Sequence, residues 1–412
     1  MISRIKVKNF GPIKEGYLES EGWIDLKKVT LFIGNQGSGK STIAKLISTL
    51  TWIEKALVRG DFSEKSLTDK SLKKHFTYQN IGNYFKDETI IEYEGKAFHI
   101  SFKNNFVKVK KNEKNGYSFP KIMYVPSERN FVSSVRNVRT LKGLPSTLYT
   151  FSDEFINAVE ELKGQIDLPI NDTKFEYQKL NKLSSIIGKD YKIKLSEASS
   201  GFQSFVPLFV VSDFLANSLE KKDDNTIKDI SIEEEKRIRK EIEQILSNPN
   251  ISDDVKQASL EYLSSKFKYS SFINIVEEPE QNLFPNSQNK ILNSLLKFNN
   301  LNENNGLVIT THSPYIINYL CVSIQAKYLF EKLMNFSNQK PALFLARLNK
   351  IVPHKSMVSS SNVIIYQLDE TTGTLKKLND YEGIPSDNNY LNKSLAEANE
   401  MFDLLLEIEQ EL

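Results

Sequence analysis

Cysteine is nearly missing from this sequence, which has Cys321 and no other among its 412 residues. A single cysteine excludes an intramolecular disulfide and any zinc site built from several cysteines, so a reducing compartment fits. The sequence also lacks a large excess of either charge, since it has 54 Lys and Arg and 52 Asp and Glu, a net charge of +2. This balance excludes a histone-like basic protein and an acidic disordered one, and it confines any nucleic-acid surface to a local patch.

Long apolar runs are also lacking. The residues after Met1 do not form the apolar segment of a signal peptide, and no stretch approaches the roughly 18 apolar residues of a membrane span. We therefore expect a cytoplasmic protein with no membrane partner. At roughly 100–200 residues per domain, the length allows about two or three domains, or one large domain with insertions.

The apolar pattern that is present predicts an α/β fold. Val29–Ile33 is a continuous apolar run, typical of a strand buried on both faces, and residues 41–58 follow it with a helical apolar stripe. The remaining elements predicted by periodicity are strands at 122–125, 272–276, 307–310 and 362–368, a β-hairpin at 89–111, mainly helical structure at 151–195 and a charged helical insertion at 220–268.

A glycine-rich loop joins the buried strand to the helix after it. It matches the pattern G-x-x-x-x-G-K-[ST] through Gly34, Asn35, Gln36, Gly37, Ser38, Gly39, Lys40, Ser41 and Thr42. Glycines let backbone N–H groups face phosphate oxygens, and the helix N-terminus adds partial positive charge. Lys40 would reach the β- and γ-phosphates of ATP, and the Ser41 hydroxyl would bind Mg²⁺. The alternative is a turn that only caps a helix, which leaves Lys-Ser after the last glycine without a packing reason.

Two further strand ends carry side chains suited to the same chemistry. The strand at 272–276 ends in Glu277 and Glu278, of which the first would hold Mg²⁺ and the second would polarise the attacking water as a general base. His312 follows the strand at 307–310 and could contact the γ-phosphate. For Glu277 and Glu278, the alternative is a surface strand end that leads into a Glu-Pro turn. For His312, the alternative is a purely structural role. Glu280 belongs to the same region without an assigned role.

A run of small polar residues precedes the apolar helix that begins near Gly201. Ser200, Gly201 and Gln203 lie at its start, and small residues at a helix N-terminus suit phosphate binding. An ordinary helix cap is the alternative. The order of the four motifs decides between these interpretations, because phosphate loop, small-polar helix start, acidic strand end and strand-end histidine succeed one another as in ABC-type ATPase heads.

At this point the chain resembles the RecF/SMC-like branch of that superfamily, and within it the stand-alone ATPases related to the OLD (overcoming lysogenisation defect) family of bacterial anti-phage systems. Three segments of the sequence carry the resemblance: Ile5–Ile13, Glu277–Pro285 (E-E-P-E-x-x-L-x-P) and Thr311–Pro314 (T-H-S-P). The resemblance implies an ABC-type P-loop head, a mixed sheet around a P-loop helix, with a helical lobe and a helical-hairpin insertion.

The resemblance also implies roles. Residues 34–42 would be the Walker A loop, Glu277 and Glu278 the Walker B acid and catalytic base, and His312 the switch histidine. Ser200, Gly201 and Gln203 would be signature residues that complete the ATP site of a second copy, so that two heads close around ATP and Mg²⁺. The chain departs from the pattern at Phe202, and Arg129 lies near the place of the usual Q-loop glutamine, where we expect it to contact phosphate or the opposite head.

Many OLD-family proteins carry a C-terminal nuclease, but no D-x-D follows His312 here. We therefore expect a separate effector protein, a nuclease or toxin, controlled by an ATPase that acts as sensor or scaffold in anti-phage defence. The alternative function is a RecF-like DNA-binding ATPase in repair or maintenance. It is suggested by two basic stripes, at 101–121 and 129–142, that could equally be solvated surface.

The predicted organisation has four parts: residues 1–150 and 271–330 as two halves of the head, 151–270 as helical lobe with the insertion, and 331–412 as an extension. The extension ends in an acidic amphipathic helix over 395–412. Its apolar residues are expected to face the core or, alternatively, a partner: Met401, Leu404, Leu405 and Ile408.

Overall fold

The structure is a computed structural model that describes residues 3–112, 117–135, 141, 143–219, 240, 269–335 and 341–411. The predicted insertion at 220–268 lies outside the described residues, Lys240 excepted. In the described ranges, every helix is too short or too polar to cross a bilayer.

The described strands, in chain order, are β1 (Ser3–Phe10), β2 (Gly16–Tyr17), β3 (Ile24–Leu26), β4 (Val29–Gly34), β5 (Phe85–Glu94), β6 (Phe98–Lys103), β7 (Phe106–Lys111), β8 (Pro120–Val125), β9 (Gln165–Asp167), β10 (Lys174–Gln178), β11 (Leu183–Ile187), β12 (Lys192–Lys194), β13 (Ser271–Glu277), β14 (Gly306–Thr311), β15 (Val363–Asp369), β16 (Thr374–Lys377), β17 (Asp380–Tyr381) and β18 (Ile384–Pro385). The α-helices of the described ranges are α1 (Lys40–Arg59), α2 (Asp69–Tyr78), α3 (Phe131–Ser134), α4 (Ser146–Glu161), α5 (Ser200–Ser218), α6 (Pro285–Asn299), α7 (Pro314–Asn335), α8 (Pro341–Ile351) and α9 (Tyr390–Glu411).

The central sheet has the strand order β2-β16-β15-β4-β14-β13-β8. From β15 to β8 all neighbours are parallel, and β16 joins β15 antiparallel. The residues of β4, β13 and β14 are buried on both faces, which explains their continuous apolar runs. Because the strands are parallel, their carboxyl ends meet at one edge, where Gly34, Glu277 and Thr311 end them. The α/β class and the mixed sheet around the phosphate-loop helix are confirmed.

A second sheet, in the order β3-β1-β5-β6-β7, shares a hydrophobic core with α1. The predicted hairpin is present as β6 and β7. Its turn residues Asn104 and Asn105 have φ values of 51° and 56°, a conformation that asparagine adopts more readily than most residues. Alternation of apolar and polar residues was therefore sufficient to predict this hairpin.

Between α4 and α5 the prediction of mainly helical structure is wrong. Residues 165–194 form a four-stranded antiparallel sheet in the order β12-β11-β10-β9. Its turns use residues in the left-handed region, Asn171, Asp172 and Lys182 with φ of 53°, 48° and 49°. The strands are only three to five residues long. Such short strands leave little room for a period-two pattern, and pairing with neighbours decides their conformation.

The C-terminal region completes the central sheet. β15 lies directly beside β4, with Leu368 in register with Gly34 of the phosphate loop. The final helix, α9, differs from the expectation of a core-facing helix: Met401, Leu404, Leu405 and Ile408 are 65%, 58%, 63% and 56% exposed. An amphipathic pattern predicts a helix, but it does not determine whether this chain supplies a surface to cover the apolar side.

Candidate functional site

The glycine-rich loop is a tight turn between β4 and α1. Gly39 immediately precedes the helix with φ of 100°, and a Cβ there would lie 2.5 Å from Ile13 Cδ1. A Cβ on Gly34, with φ of 149°, would lie 2.5 Å from the Leu368 carbonyl oxygen. Both positions therefore require glycine. At Gly37 no heavy atom lies within 4 Å of such a Cβ, so the loop is open on that side.

Lys40 begins α1 and turns its side chain into the loop. Its Nζ donates to the carbonyl oxygens of Gly34 and Asn35 at 2.8 and 2.7 Å, and it lies 3.4 Å from His312 Nδ1. Burial lowers the pKa of Lys40 to about 8, against the opposing effect of Glu278 and other nearby carboxylates. The ammonium group is thus poorly hydrated, which favours an anionic partner. Of the next two residues, Ser41 is exposed and Thr42 is buried.

Glu277 is the last residue of β13 and is buried. The backbone N–H of Ser127 donates to its Oε2 at 3.4 Å. Its Oε1 makes no hydrogen bond within the described part of the chain. A buried carboxylate oxygen without a partner is costly, and hard divalent cations such as Mg²⁺ take oxygen ligands. The donor set therefore fits a magnesium ion beside the phosphate loop.

Glu278 and His312 are hydrogen-bonded at the carboxyl edge of the sheet. Glu278 Oε1 lies 3.2 Å from His312 Nε2, and this hydrogen bond lowers the pKa of Glu278. Nδ1 of the same imidazole faces the Lys40 ammonium, which can only donate. We therefore assign the tautomer with the proton on Nε2. Lys40, His312 and Glu278 form one connected chain, so the structure brings these three predicted residues together.

Glu280 has a role that the sequence analysis missed. Its Oε1 accepts a hydrogen bond from the backbone N–H of His312 at 2.8 Å, and burial raises the pKa of Glu280. The contact ties the acidic turn to the end of β14 and fixes the position of the His312 backbone. The only signal in the sequence was the second glutamate of the Glu-Pro-Glu turn.

The expectation that Arg129 contacts phosphate or an opposite head is wrong in this structure. Arg129 has no exposed surface. Its guanidinium group donates to backbone carbonyl oxygens at Pro126, Ser204, Glu277 and Glu278. A side chain that is buried and engaged in this way cannot reach another molecule. Nothing in the local sequence distinguished burial from exposure.

The small-polar start of α5 packs against the acidic turn, where a Cβ on Gly201 would lie 2.9 Å from the Asn282 carbonyl oxygen. Ser200 is exposed, whereas Gly201 and Gln203 are half-buried. The Gln203 side chain donates to the carbonyl oxygens of Ser196 and Ala198, both at 3.0 Å, and so closes its own loop. The structure therefore brings together Lys40, Glu278 and His312 from three of the four predicted motifs, and the fourth motif contacts the acidic turn through the start of α5.

The two basic stripes contribute less positive charge to the surface than the sequence suggested. In the first, Lys103, Lys108, Lys110 and Lys111 are exposed, but Lys121 is buried and pairs with Glu154 at 2.6 Å. In the second, Arg129 is buried, and the remaining predicted members lie outside the described residues: Arg136, Arg139 and Lys142.

Two solved structures resemble this chain at low sequence identity. The SMC head domain from Thermotoga maritima is 11% identical, with a TM-score of 0.36, and the match covers 92% of this chain and 99% of that one. A dimeric post-hydrolysis state of the ATP-binding cassette MJ0796 bound to ADP and Pi is 13% identical, with a TM-score of 0.29, covering 92% and 100%. Such low scores carry nothing further about this chain. No curated relative matches the sequence.

A family model does match. The AAA ATPase domain model covers residues 1–317 and so includes the phosphate loop, the acidic strand end and His312. Because the match spans well over half of the 412 residues, the chain belongs to the AAA ATPase domain family and is an ATP-hydrolysing enzyme.

Proposed function

We propose that this ATPase is an ABC-type head that closes with a second copy around ATP and thereby controls a separate effector protein in anti-phage defence. The observation that carries the enzymatic part is the connected chain of Lys40, His312 and Glu278 beside the unpartnered Glu277 oxygen. These groups supply a cation for phosphate, a base for water and a ligand for metal at one edge of the sheet.

Binding is assigned to the phosphate loop. Backbone N–H groups of residues 34–42 would contact the phosphates, and Lys40 would exchange its contacts with Gly34 and Asn35 for the β- and γ-phosphates. The exposed Ser41 hydroxyl and Glu277 would hold Mg²⁺. When bound, this ion neutralises charge on the phosphate oxygens.

Glu278 is assigned as the general base. Its lowered pKa keeps it ionised at neutral pH, so it can accept a proton from the attacking water. His312 lies between this carboxylate and Lys40, and would therefore register the presence of the γ-phosphate that Lys40 contacts. Loss of that phosphate would change both of its contacts, which suits a two-state switch.

A second copy would supply Ser200, Gly201 and Gln203. The start of α5 is exposed at Ser200. Small residues and backbone N–H groups at a helix N-terminus suit contact with the phosphate of another protomer. This part of the proposal predicts that hydrolysis depends on protein concentration.

The defence role rests on the resemblance of the E-E-P-E and T-H-S-P motifs to the OLD-related ATPases, and on the lack of a D-x-D after His312. The exposed apolar residues of α9 offer a surface on which an effector could dock. We therefore place the destructive activity in another protein and the ATP switch in this one.

The experiment compares Lys40→Ala and Glu278→Gln with wild type. Lys40→Ala should abolish ATP binding, whereas Lys45→Ala on the same helix should not. Glu278→Gln should bind ATP, stop turnover and accumulate dimers measured by light scattering, whereas the exposed Glu303→Gln should behave as wild type. Unchanged turnover in Glu278→Gln would refute the assignment of the base.

The defence role needs its own test. Cells that express the protein together with the product of the adjacent reading frame should resist phage in a plaque assay, and Lys40→Ala should remove that resistance. Resistance that survives Lys40→Ala, or none with wild type, would contradict control by the ATP switch.

A second candidate function is that of a DNA-binding ATPase. It is favoured by the β6–β7 hairpin, where Phe106 is 62% exposed among exposed lysines. Such a surface can neutralise phosphates without reading bases. Filter binding to duplex DNA at several salt concentrations, with and without ATP, tests it. Charge reversal at Lys108 and Lys110 should weaken DNA binding. DNA retention that changes neither with salt nor with ATP would contradict this second candidate function.

A further inference from the structure

Arg129 heads the set of largest fully buried side chains in the described ranges. It lies in the short turn after β8, and its four hydrogen bonds reach three separate segments of the chain. These bonds use most of the five N–H donors of a guanidinium group. A buried charge needs such compensation for its lost hydration. The side chain is therefore held rigidly, and it holds the segments it contacts.

Two of the bonds hold the turn that carries the proposed base. Nη1 donates to the Glu277 carbonyl oxygen at 2.7 Å, and Nη2 donates to that of Glu278 at 2.6 Å. Glu278 has φ of 43°, in the left-handed region, which costs a residue with a side chain about 1 kcal/mol or more. Arg129 thus stabilises the strained backbone that directs the Glu278 carboxylate toward His312.

The Nε atom of Arg129 binds a different element. It donates to the carbonyl oxygen of Ser204 at 3.1 Å, in the first turns of α5. The same helix touches the acidic turn again, because Ser204 Oγ donates to Gln281 Oε1 at 3.0 Å. At the helix start, a Cβ on Gly201 would lie 2.9 Å from the Asn282 carbonyl oxygen. The start of α5 and the acidic turn are therefore in direct contact.

We propose that Arg129 is a positioning residue that couples the N-terminus of α5 to the backbone of Glu278. The inference rests on the proposed function, in which that terminus meets the nucleotide of a second copy. A displacement of Ser204 on docking would pass to the Glu278 carbonyl, because both bond to one planar, rigid group. The base would then be aligned for hydrolysis only when two heads are engaged.

The charge on Arg129 survives its burial. Burial lowers the pKa of Arg129 to about 10, and the nearby carboxylates of Glu280, Glu278, Glu277 and Glu128 oppose that effect. The guanidinium group is therefore protonated at neutral pH and keeps all its donors. Lysine would keep the charge but not the forked geometry, since its three donors lie on a single Nζ and cannot reproduce the four bonds that Arg129 makes from Nε, Nη1 and Nη2.

The test compares Arg129→Lys with Arg59→Lys, which alters another buried arginine, paired with Asp61 at the far end of α1. We expect Arg129→Lys to lower kcat at least tenfold while the affinity for ATP changes less than twofold. Arg59→Lys should change neither quantity. A loss of affinity in parallel with kcat would mean that Arg129 only supports the fold, and would overturn the proposal.

A double variant sharpens the result. Because Arg129 acts through Glu278, adding Arg129→Lys to Glu278→Gln should not lower the residual single-turnover rate further. If Arg129→Lys lowers the single-turnover rate of Glu278→Gln by the same factor as it lowers that of wild type, the proposal is overturned. A wild-type hydrolysis rate that does not depend on protein concentration would instead refute the two-head arrangement of the proposed function, so the two failures are distinguishable.

Should Arg129→Lys not fold, hydrogen exchange of Glu278→Gln with bound ATP provides the second measurement. Amides at 199–205 and 277–282 should gain protection together, at protein concentrations where dimers form. Protection that rises at residues 34–42 without a joint rise in the other two segments would overturn the coupling.

Discussion

The imidazole of His312 stands between a base and a cation, with Nε2 3.2 Å from Glu278 Oε1 and Nδ1 3.4 Å from Lys40 Nζ. One side chain thus contacts both the group assigned to water activation and the group assigned to phosphate binding. Loss of this imidazole must affect both partners.

The pH dependence of turnover should depend on His312. The hydrogen bond from His312 is the largest cause that lowers the pKa of Glu278, so the carboxylate stays ionised as the pH falls below the usual range for glutamate. His312→Ala should raise that pKa and move the acid limb of the kcat profile to higher pH. His354→Ala, remote from the site, should leave the limb in place. Identical acid limbs in wild type and His312→Ala would contradict the assignment.

The free energy of unfolding should also fall at low pH because of Glu278. Because the pKa of Glu278 is lower in the folded than in the unfolded chain, its contribution to stability is present above the unfolded value and is lost as the pH falls through the folded value.

ATP affinity should weaken at alkaline pH. With a pKa of about 8 in the free protein, Lys40 loses its charge between pH 7 and 9. If only the charged form binds phosphate, linkage predicts an affinity about tenfold lower at pH 9 than at pH 7. Equilibrium titration with a fluorescent ATP analogue measures this. Lys40→Met should bind weakly at both pH values, and a wild-type affinity that is flat with pH would reject the shifted lysine.

Alanine should destabilise the phosphate loop more at Gly39 than at Gly37. Gly39→Ala places a Cβ 2.5 Å from Ile13 Cδ1 at φ of 100°, so we expect a loss of about 1–3 kcal/mol and of ATP binding. Gly37→Ala meets no atom within 4 Å and carries only the cost of φ 75°, about 1 kcal/mol. Urea unfolding compares the two. Equal losses would mean that the contact with Ile13 is unimportant.

Substitutions on α9 should not destabilise the chain. Phe402 and Leu405 are 61% and 63% exposed, so Phe402→Glu and Leu405→Glu should change the free energy of unfolding by about 0.5 kcal/mol or less. Leu320→Ala, at a fully buried position, should cost about 2–5 kcal/mol in the same urea experiment. A large loss from Leu405→Glu would support the inward-facing helix predicted from the sequence.

Several parts of the fold and site were predictable because their signals are local. The buried strand Val29–Gly34, the glycine pattern after it and the start of α1 follow one another along the chain, and each constrains the next. Glu277 and His312 were predictable for a related reason, since each directly follows an apolar run. Parallel strands then bring those ends together at one edge of the sheet. The predicted domain limits and the role of the α5 terminus stay predictions.

Other features depend on partners that are distant in sequence. The short strands at 165–194 exist because they pair with one another, and no single strand carries enough residues to specify itself. The place of β15 beside β4 joins residues more than 300 positions apart. The role of Glu280 depends on the backbone N–H of His312 rather than on any pattern around Glu280.

The sequence by itself determined that this chain carries a phosphate loop, an acidic strand end and a strand-end histidine, because each is a contiguous pattern with its own physical reason. Only the tertiary structure decided which charged groups are buried and which apolar residues are exposed. Arg129 looked like a surface cation and is buried by four carbonyl contacts, whereas the apolar residues of α9 looked like core and remain exposed. Burial is a property of the surrounding segments, and no residue specifies those by its local sequence alone.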